Sequence, residues 1–198
     1  SDGTSLLSWA LTCAGVRGIH GPVVGQLPSL STDDHQALFD LLESDDAPGV
    51  VGEGLAALGA TGEGALRGQL IAGNLCLQTH LVGTQYSALR PGCVPLIEDV
   101  GERPYAIDRY LTHLWTSGAL EGVEAMVIGD FSGCVETKMK DTPEVFEVID
   151  ERLASFGIVG LRLEGVGHGA GNRALPFGGR VEVEPSTGRL RVLEPAVI

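Results

Sequence analysis

The sequence predicts an α/β fold with a mixed sheet, and three observations carry that prediction. Short apolar runs at Val94–Ile97, Val123–Ile128 and Ile158–Leu163 read as buried strands. Between them, apolar residues repeat at helical spacing: Ile107, Tyr110, Leu111 and Leu114, then Val145, Val148, Ile149 and Leu153. The last stretch alternates over 180–184 and 189–193 around Pro185-Ser186-Thr187-Gly188, the pattern of a terminal hairpin. Strands separated by helices make parallel neighbours, and a hairpin adds antiparallel ones.

Each element has its own local signal. Leu6, Leu7, Ala10, Leu11 and Ala14 mark one face of a first helix, with Gly15 placed to end it. Ser1 and Asp2 stand at its start, where exposed backbone N–H groups favour developing negative charge. Residues 16–24 read as a strand containing His20, expected to be a hydrogen-bonded structural histidine. Ser31 and Thr32 can cap a second helix, with Asp33 and Asp34 in its first turn and Leu38, Leu41 and Leu42 on its buried face. From Glu43 to Gly68 the chain is rich in Gly, Asp and Ser and poor in large side chains, which predicts a linker or long surface loop.

Residues 67–77 read as a strand entering a turn at Gly73-Asn74, followed by a short buried helix carrying Leu75, Leu77 and Leu81. The strand at Val94 is expected to stop at Glu98. A turn with Gly101 and Pro104 follows, then a helix from about Ala106 that Gly118 can close. Thr142-Pro143-Glu144 predicts a helix start, with the proline in the first position, and Gly157 its end.

The totals narrow the function. The 198 residues are 43% hydrophobic and 20% charged, which suits one or two domains with a packed core. A net charge of −13 argues against nucleic acid or an anionic membrane as the main partner. No apolar run reaches transmembrane length, and the chain opens without Met and without a signal-peptide pattern. Cys13, Cys76, Cys93 and Cys134 form no Cys-x-x-Cys pair and no metal-ligand spacing with a histidine. We expect them to be reduced core residues of a cytoplasmic protein. His20, His35, His80, His113 and His168 make no helical i, i+4 pair, so neither a metal nor a cofactor is expected.

Three residues could share one chemistry. Glu98, at the end of a buried strand, is held rigidly at a sheet rim, where a group that orients another group belongs. The same acid could instead belong to a helix-capping cluster. Ser1 precedes a helix, and His168 sits in the glycine-rich loop 165–172. Ser, His and Glu can serve as nucleophile, base and orienting acid. Glu102 is the rival acid, but it lies in the turn rather than at the strand end.

Read in order, these residues resemble the LD-carboxypeptidase family of serine peptidases. The likeness rests on Ser1-Asp2-Gly3-Thr4, on His20-Gly21-Pro22, and on Gly73-Asn74-Leu75 with Gly83-Thr84. It continues through Ile97-Glu98-Asp99-Val100-Gly101-Glu102-Arg103-Pro104-Tyr105, Ile107-Asp108-Arg109 and Gly129-Asp130-Phe131. It ends at Gly167-His168, Asn172 and Leu175-Pro176-Phe177-Gly178.

The resemblance implies a catalytic triad of Ser1, His168 and Glu98, with the backbone N–H of Asp2 as oxyanion donor and Asn74 and Glu102 as substrate-binding residues. It implies removal of the terminal D-alanine from murein-derived tetrapeptides during cytoplasmic recycling of cell-wall peptides. A sister branch cleaves a peptide–nucleotide antibiotic. Family members pair as homodimers and carry a flavodoxin-like α/β domain ahead of the nucleophile. On that footing residues 1–44 are the tail of that domain, 45–66 a linker, and 67–198 the C-terminal domain. A start at Ser1 fits a chain cleaved there, with its N-terminal fragment retained as a partner. It also fits a piece of a longer protein, or a short natural one. The alternative function is a homologue that only binds peptides or acts on another amide, such as a peptide antibiotic.

Overall fold

The computed structural model describes residues 2–138 and 141–197. Helix α1 (Gly3–Ala14) leads to strand β1 (Gly18–His20), a 3-10 turn (Val24–Ser29) and α2 (Thr32–Glu43). Then come β2 (Gly49–Gly52), β3 (Ala56–Gly59), β4 (Leu66–Asn74), α3 (Leu75–Leu81), β5 (Cys93–Val100) and α4 (Pro104–Thr116). The chain continues through β6 (Ala125–Ser132), α5 (Val145–Phe156), β7 (Val159–Arg162) and β8 (Leu175–Phe177). It ends in the hairpin β9 (Arg180–Glu184) and β10 (Arg189–Val192).

The main sheet runs β2-β10-β9-β4-β5-β6-β7-β3. Its centre, β4 to β7, is parallel, with α3, α4 and α5 as crossovers. The hairpin and β2 extend one side antiparallel, and β3 closes the other. The α/β class with a mixed sheet is therefore correct. Leu70, Ile71, Leu96, Ile97, Met126, Val127 and Ile128 fill the central strands, and the α4 residues Ile107, Leu111 and Leu114 pack on them, fully buried. Each such side chain contributes about 1.5–3 kcal/mol by leaving water. This core makes the C-terminal edge of the parallel strands a rigid platform.

Several expectations need correcting. The segment read as a linker holds β2 and β3, which sit at opposite edges of the one sheet. Backbone hydrogen bonding to β10 and β7 makes them strands, and this pairing does not need the large side chains the segment lacks. The strand expected over 16–24 shrinks to β1, which pairs with β8 outside the main sheet, and the 3-10 turn follows. Helix α5 starts at Val145 rather than at Pro143. Glu144 caps it, and the Glu144 N–H donates to the Glu147 carboxylate at 2.7 Å.

The fourth correction concerns faces. On α1 the buried residues are Thr4 and Ser8, with Leu7 and Leu11 packed against the core, while Leu6 is 65% exposed. On α2 only Asp34 and Leu41 are buried, and Leu42 is exposed. Of the cysteines, Cys93 and Cys134 are core residues, whereas Cys13 is exposed and Cys76 half-buried; all four are free thiols.

Candidate active site

Strand β5 does not end at Glu98 but runs on to Val100. Pairing with β6 steps from Ile97–Ile128 to Asp99–Phe131, so β6 carries one extra residue opposite Glu98. At this bulge Gly129 lies so close that an added Cβ would sit 2.6 Å from the Val166 carbonyl and 3.2 Å from the Glu98 Cβ. Glu98 is thereby sealed in, 1% exposed, with its carboxylate turned toward the loop after β7. Burial raises its pKa, the hydrogen bond and positive charge of His168 oppose that, and the adjacent Asp99 carboxylate reinforces it.

His168 lies on that loop, and its Nδ1 meets Glu98 Oε2 at 2.6 Å. The loop is held by three hydrogen bonds. Asp130, in β6 two residues before its last residue Ser132, accepts the Gly165 N–H at 3.2 Å. The Val166 carbonyl accepts the Asp130 N–H at 2.8 Å. The Asn172 side-chain oxygen accepts the Gly167 N–H at 3.3 Å. Gly167 has φ +133°, and a Cβ there would meet Glu98 Oε2 at 2.9 Å, so only glycine lets the loop cross the acid.

The pair opens onto a cleft of about 550 Å³. Its walls include Gly3 and Thr4 of α1, Leu6, Leu7, Ile19, His20, Pro22 and Gln26. Among its described lining residues Glu98 is the only acid, and there is no Lys or Arg. Helix α1 enters with Thr4 buried; its hydroxyl oxygen accepts the Asn74 N–H at 3.0 Å. The 3-10 turn adds Gln26, whose side-chain oxygen accepts the Val23 N–H at 3.0 Å and an Asn172 amide N–H at 3.2 Å. His20 keeps Nε2 closed off from solvent and without a hydrogen-bond partner among the described residues, and its pKa is lowered to about 4 by burial, with the charge of His168 adding.

The structure brings Glu98 and His168 together and keeps Asn74 and Glu102 out of the cleft wall. Asn74 caps α3 by accepting the Leu77 N–H at 3.1 Å, and its amide donates to the buried Asp99 carboxylate at 2.8 Å. Glu102 is half-buried and accepts the Tyr110 hydroxyl at 3.3 Å. Asp2 precedes the first turn of α1, its carbonyl accepting the Ser5 N–H at 3.1 Å. Ser1, the expected nucleophile, lies outside the described residues. Among the described residues no group of three or more His, Cys, Asp or Glu could hold a metal, and no helix is long and apolar enough to cross a membrane.

Sequence reasoning missed Gln26, and it passed over Asp130 as an anchor of the loop. Gln26 lies in a turn with no periodicity to expose it. Asp130 follows the apolar run Ala125–Ile128 much as Glu98 follows Val94–Ile97, and that position was the available signal.

Fold and site together define a class: an α/β domain whose parallel strands present, at their C-terminal edge, a histidine oriented by a buried carboxylate. Comparison with known proteins narrows it. The family model for the LD-carboxypeptidase C-terminal domain matches residues 67–183. A putative carboxypeptidase of Synechocystis sp. is 36% identical over 195 residues, covering 98% of this chain and 62% of that protein. A probable murein peptide carboxypeptidase of Bacillus subtilis is 31% identical over 134 residues, 68% of this chain and 42% of that one. The crystal structure of muramoyltetrapeptide carboxypeptidase from Oxalobacter formigenes superposes with a TM-score of 0.77 at 25% identity, covering 98% of this chain and 68% of that one. The microcin C7 self immunity protein MccF shares the fold, with a TM-score of 0.78 at 18% identity over 100% of this chain and 67% of that one. The chain belongs to the LD-carboxypeptidase family. It spans 62% of the length of the Synechocystis relative.

Proposed function

We propose that this chain carries the acid, the base and the nucleophile of a serine LD-carboxypeptidase that removes the terminal D-alanine from murein-derived tetrapeptides. The observation that supports the reading is the 2.6 Å contact between buried Glu98 and His168 at the wall of a cleft into which α1 opens. With Nδ1 committed to Glu98, the reacting nitrogen of His168 is Nε2. Gly3 lines the cleft, and Ser1 precedes it by two residues in the sequence.

The reaction follows from these groups. His168 takes the Ser1 hydroxyl proton as the oxygen attacks the scissile carbonyl. The oxyanion gains from the Asp2 N–H at the positive end of α1. His168 then gives its proton to the departing amine of D-alanine. Water, deprotonated by the same nitrogen, releases the shortened peptide as a carboxylic acid. Glu98 stabilises the imidazolium in both steps, an arrangement that supplies about 10²–10⁴-fold in rate.

Of the thirteen large hydrophobic residues exposed among the described residues, seven (Leu6, Trp9, Val16, Val23, Val24, Phe39 and Leu42) fall within residues 1–44, under a quarter of the chain. This supports an N-terminal portion of the same precursor as the covering partner. Native and denaturing mass spectrometry of the protein as expressed tests for that piece, for cleavage before Ser1 and for a homodimer. The decisive assay is D-alanine release from the murein tetrapeptide by the full-length protein. Activity that survives Ser1→Ala, Glu98→Gln and His168→Ala alike would refute the triad.

A further inference from the structure

The Gln26–Asn172 pair spans 146 residues of sequence and joins the 3-10 turn to the His168 loop. Its donor–acceptor pattern has one solution. The Val23 N–H can only donate, so the group facing it at 3.0 Å is the Gln26 oxygen. The Gly167 N–H can only donate, so the group facing it at 3.3 Å is the Asn172 oxygen. The Asn172 NH2 then donates to the Gln26 oxygen at 3.2 Å, which agrees with both. Both accepting sites on the Gln26 oxygen are filled. Its NH2 group has no acceptor among the described residues, is not closed off from solvent, and belongs to a side chain that lines the cleft.

The charge of the cleft says what this group meets. The chain as a whole carries −13, yet Glu98 is the one acid among the described lining residues, and it is tied to His168. The apolar part of the lining comes from Leu6, Leu7, Ile19, Pro22 and Val23. A free NH2 donor in a cleft without another acid favours an anionic oxygen.

We propose that Gln26 is a specificity residue whose amide NH2 donates to the terminal carboxylate of a bound peptide. This rests on the peptidase reading of the same cleft. Because the Gln26 oxygen also holds Asn172, which closes the His168 loop, the same side chain links carboxylate recognition to the loop that carries the base.

The test is Gln26→Glu in the full-length protein, with Ser1→Ala in both proteins to stop turnover. Glutamate keeps an oxygen for Val23 and Asn172 and loses the donor. Calorimetry with the murein tetrapeptide is expected to show Kd raised by about 10- to 100-fold. Affinity for the same peptide ending in a carboxamide is expected to stay unchanged, and so is Tm. Equal affinity of parent and variant for the free acid, or equal weakening for acid and amide, overturns the proposal.

A second measurement is independent of the murein substrate. Titration with N-acetyl-D-alanine is expected to shift the Gln26 side-chain NH2 resonances of the parent. Should the parent bind no tetrapeptide while these resonances still move, the murein reading fails and the carboxylate site stands. Resonances that do not move overturn the site itself.

Discussion

His20 makes the folded protein acid-sensitive in a window that can be calculated. Its Nε2 is sealed from solvent and has no partner among the described residues, and its pKa falls from 6.5 to about 4, chiefly through burial, with His168 adding. The unfolded chain takes up a proton near pH 6.5 that the folded chain refuses until about pH 4. Across that interval the unfolded state binds more protons, so stability falls as pH falls. The gap between the two values corresponds to about 3 kcal/mol, with a limiting slope of about 1.4 kcal/mol per pH unit. Urea unfolding followed by tryptophan fluorescence at stepped pH measures it, with His20→Gln as the non-titrating reference. Glu98 and Asp130, both raised by burial, act in the opposite sense. They are common to the two proteins and cancel in the difference. The wild type is expected to lose about 3 kcal/mol more than the variant between pH 7 and pH 4. Parallel curves for the two proteins would refute the reasoning.

Three further outcomes are expected. Glu98→Gln should cut D-alanine release by about 10²–10⁴-fold while the urea midpoint at pH 8 holds or rises. The folded pKa of Glu98 is raised, so its ionisation costs stability above that value, and glutamine removes the cost. Gly167→Ala places a Cβ 2.9 Å from Glu98 Oε2 at φ +133°, which should cost about 1–3 kcal/mol and lower Tm by several degrees in calorimetry. Thr4→Val keeps the shape but leaves the buried Asn74 N–H unpaired. It should cost about 1–3 kcal/mol in urea, and Thr4→Ser should recover most of that.

Much of the fold was legible because its signals are local. The 3.6-residue repeat of Ile107, Leu111 and Leu114 marks one face of α4, and their complete burial follows from it. Ser31 accepts the Asp34 N–H at 3.1 Å, as an N-cap serine should, and Gly15 and Gly157 end their helices in the left-handed conformation. The terminal hairpin and the central strands are set by period and composition over a few residues. Glu98 and His168 could be singled out from strand-end and loop chemistry.

Tertiary structure decided what depends on distant partners. Gly49–Gly52 and Ala56–Gly59 are strands only because β10 and β7 offer them backbone hydrogen bonds. Leu6 and Leu7 are adjacent apolar residues, and only the packing of α1 determines that Leu7 faces the core and Leu6 does not. The bulge that seals Glu98 and the 2.6 Å contact across 70 residues have no local signature. Nor does the Gln26–Asn172 bridge. A residue's own neighbours set its conformational preference, whereas the position of its side chain relative to another element depends on how the whole core closes.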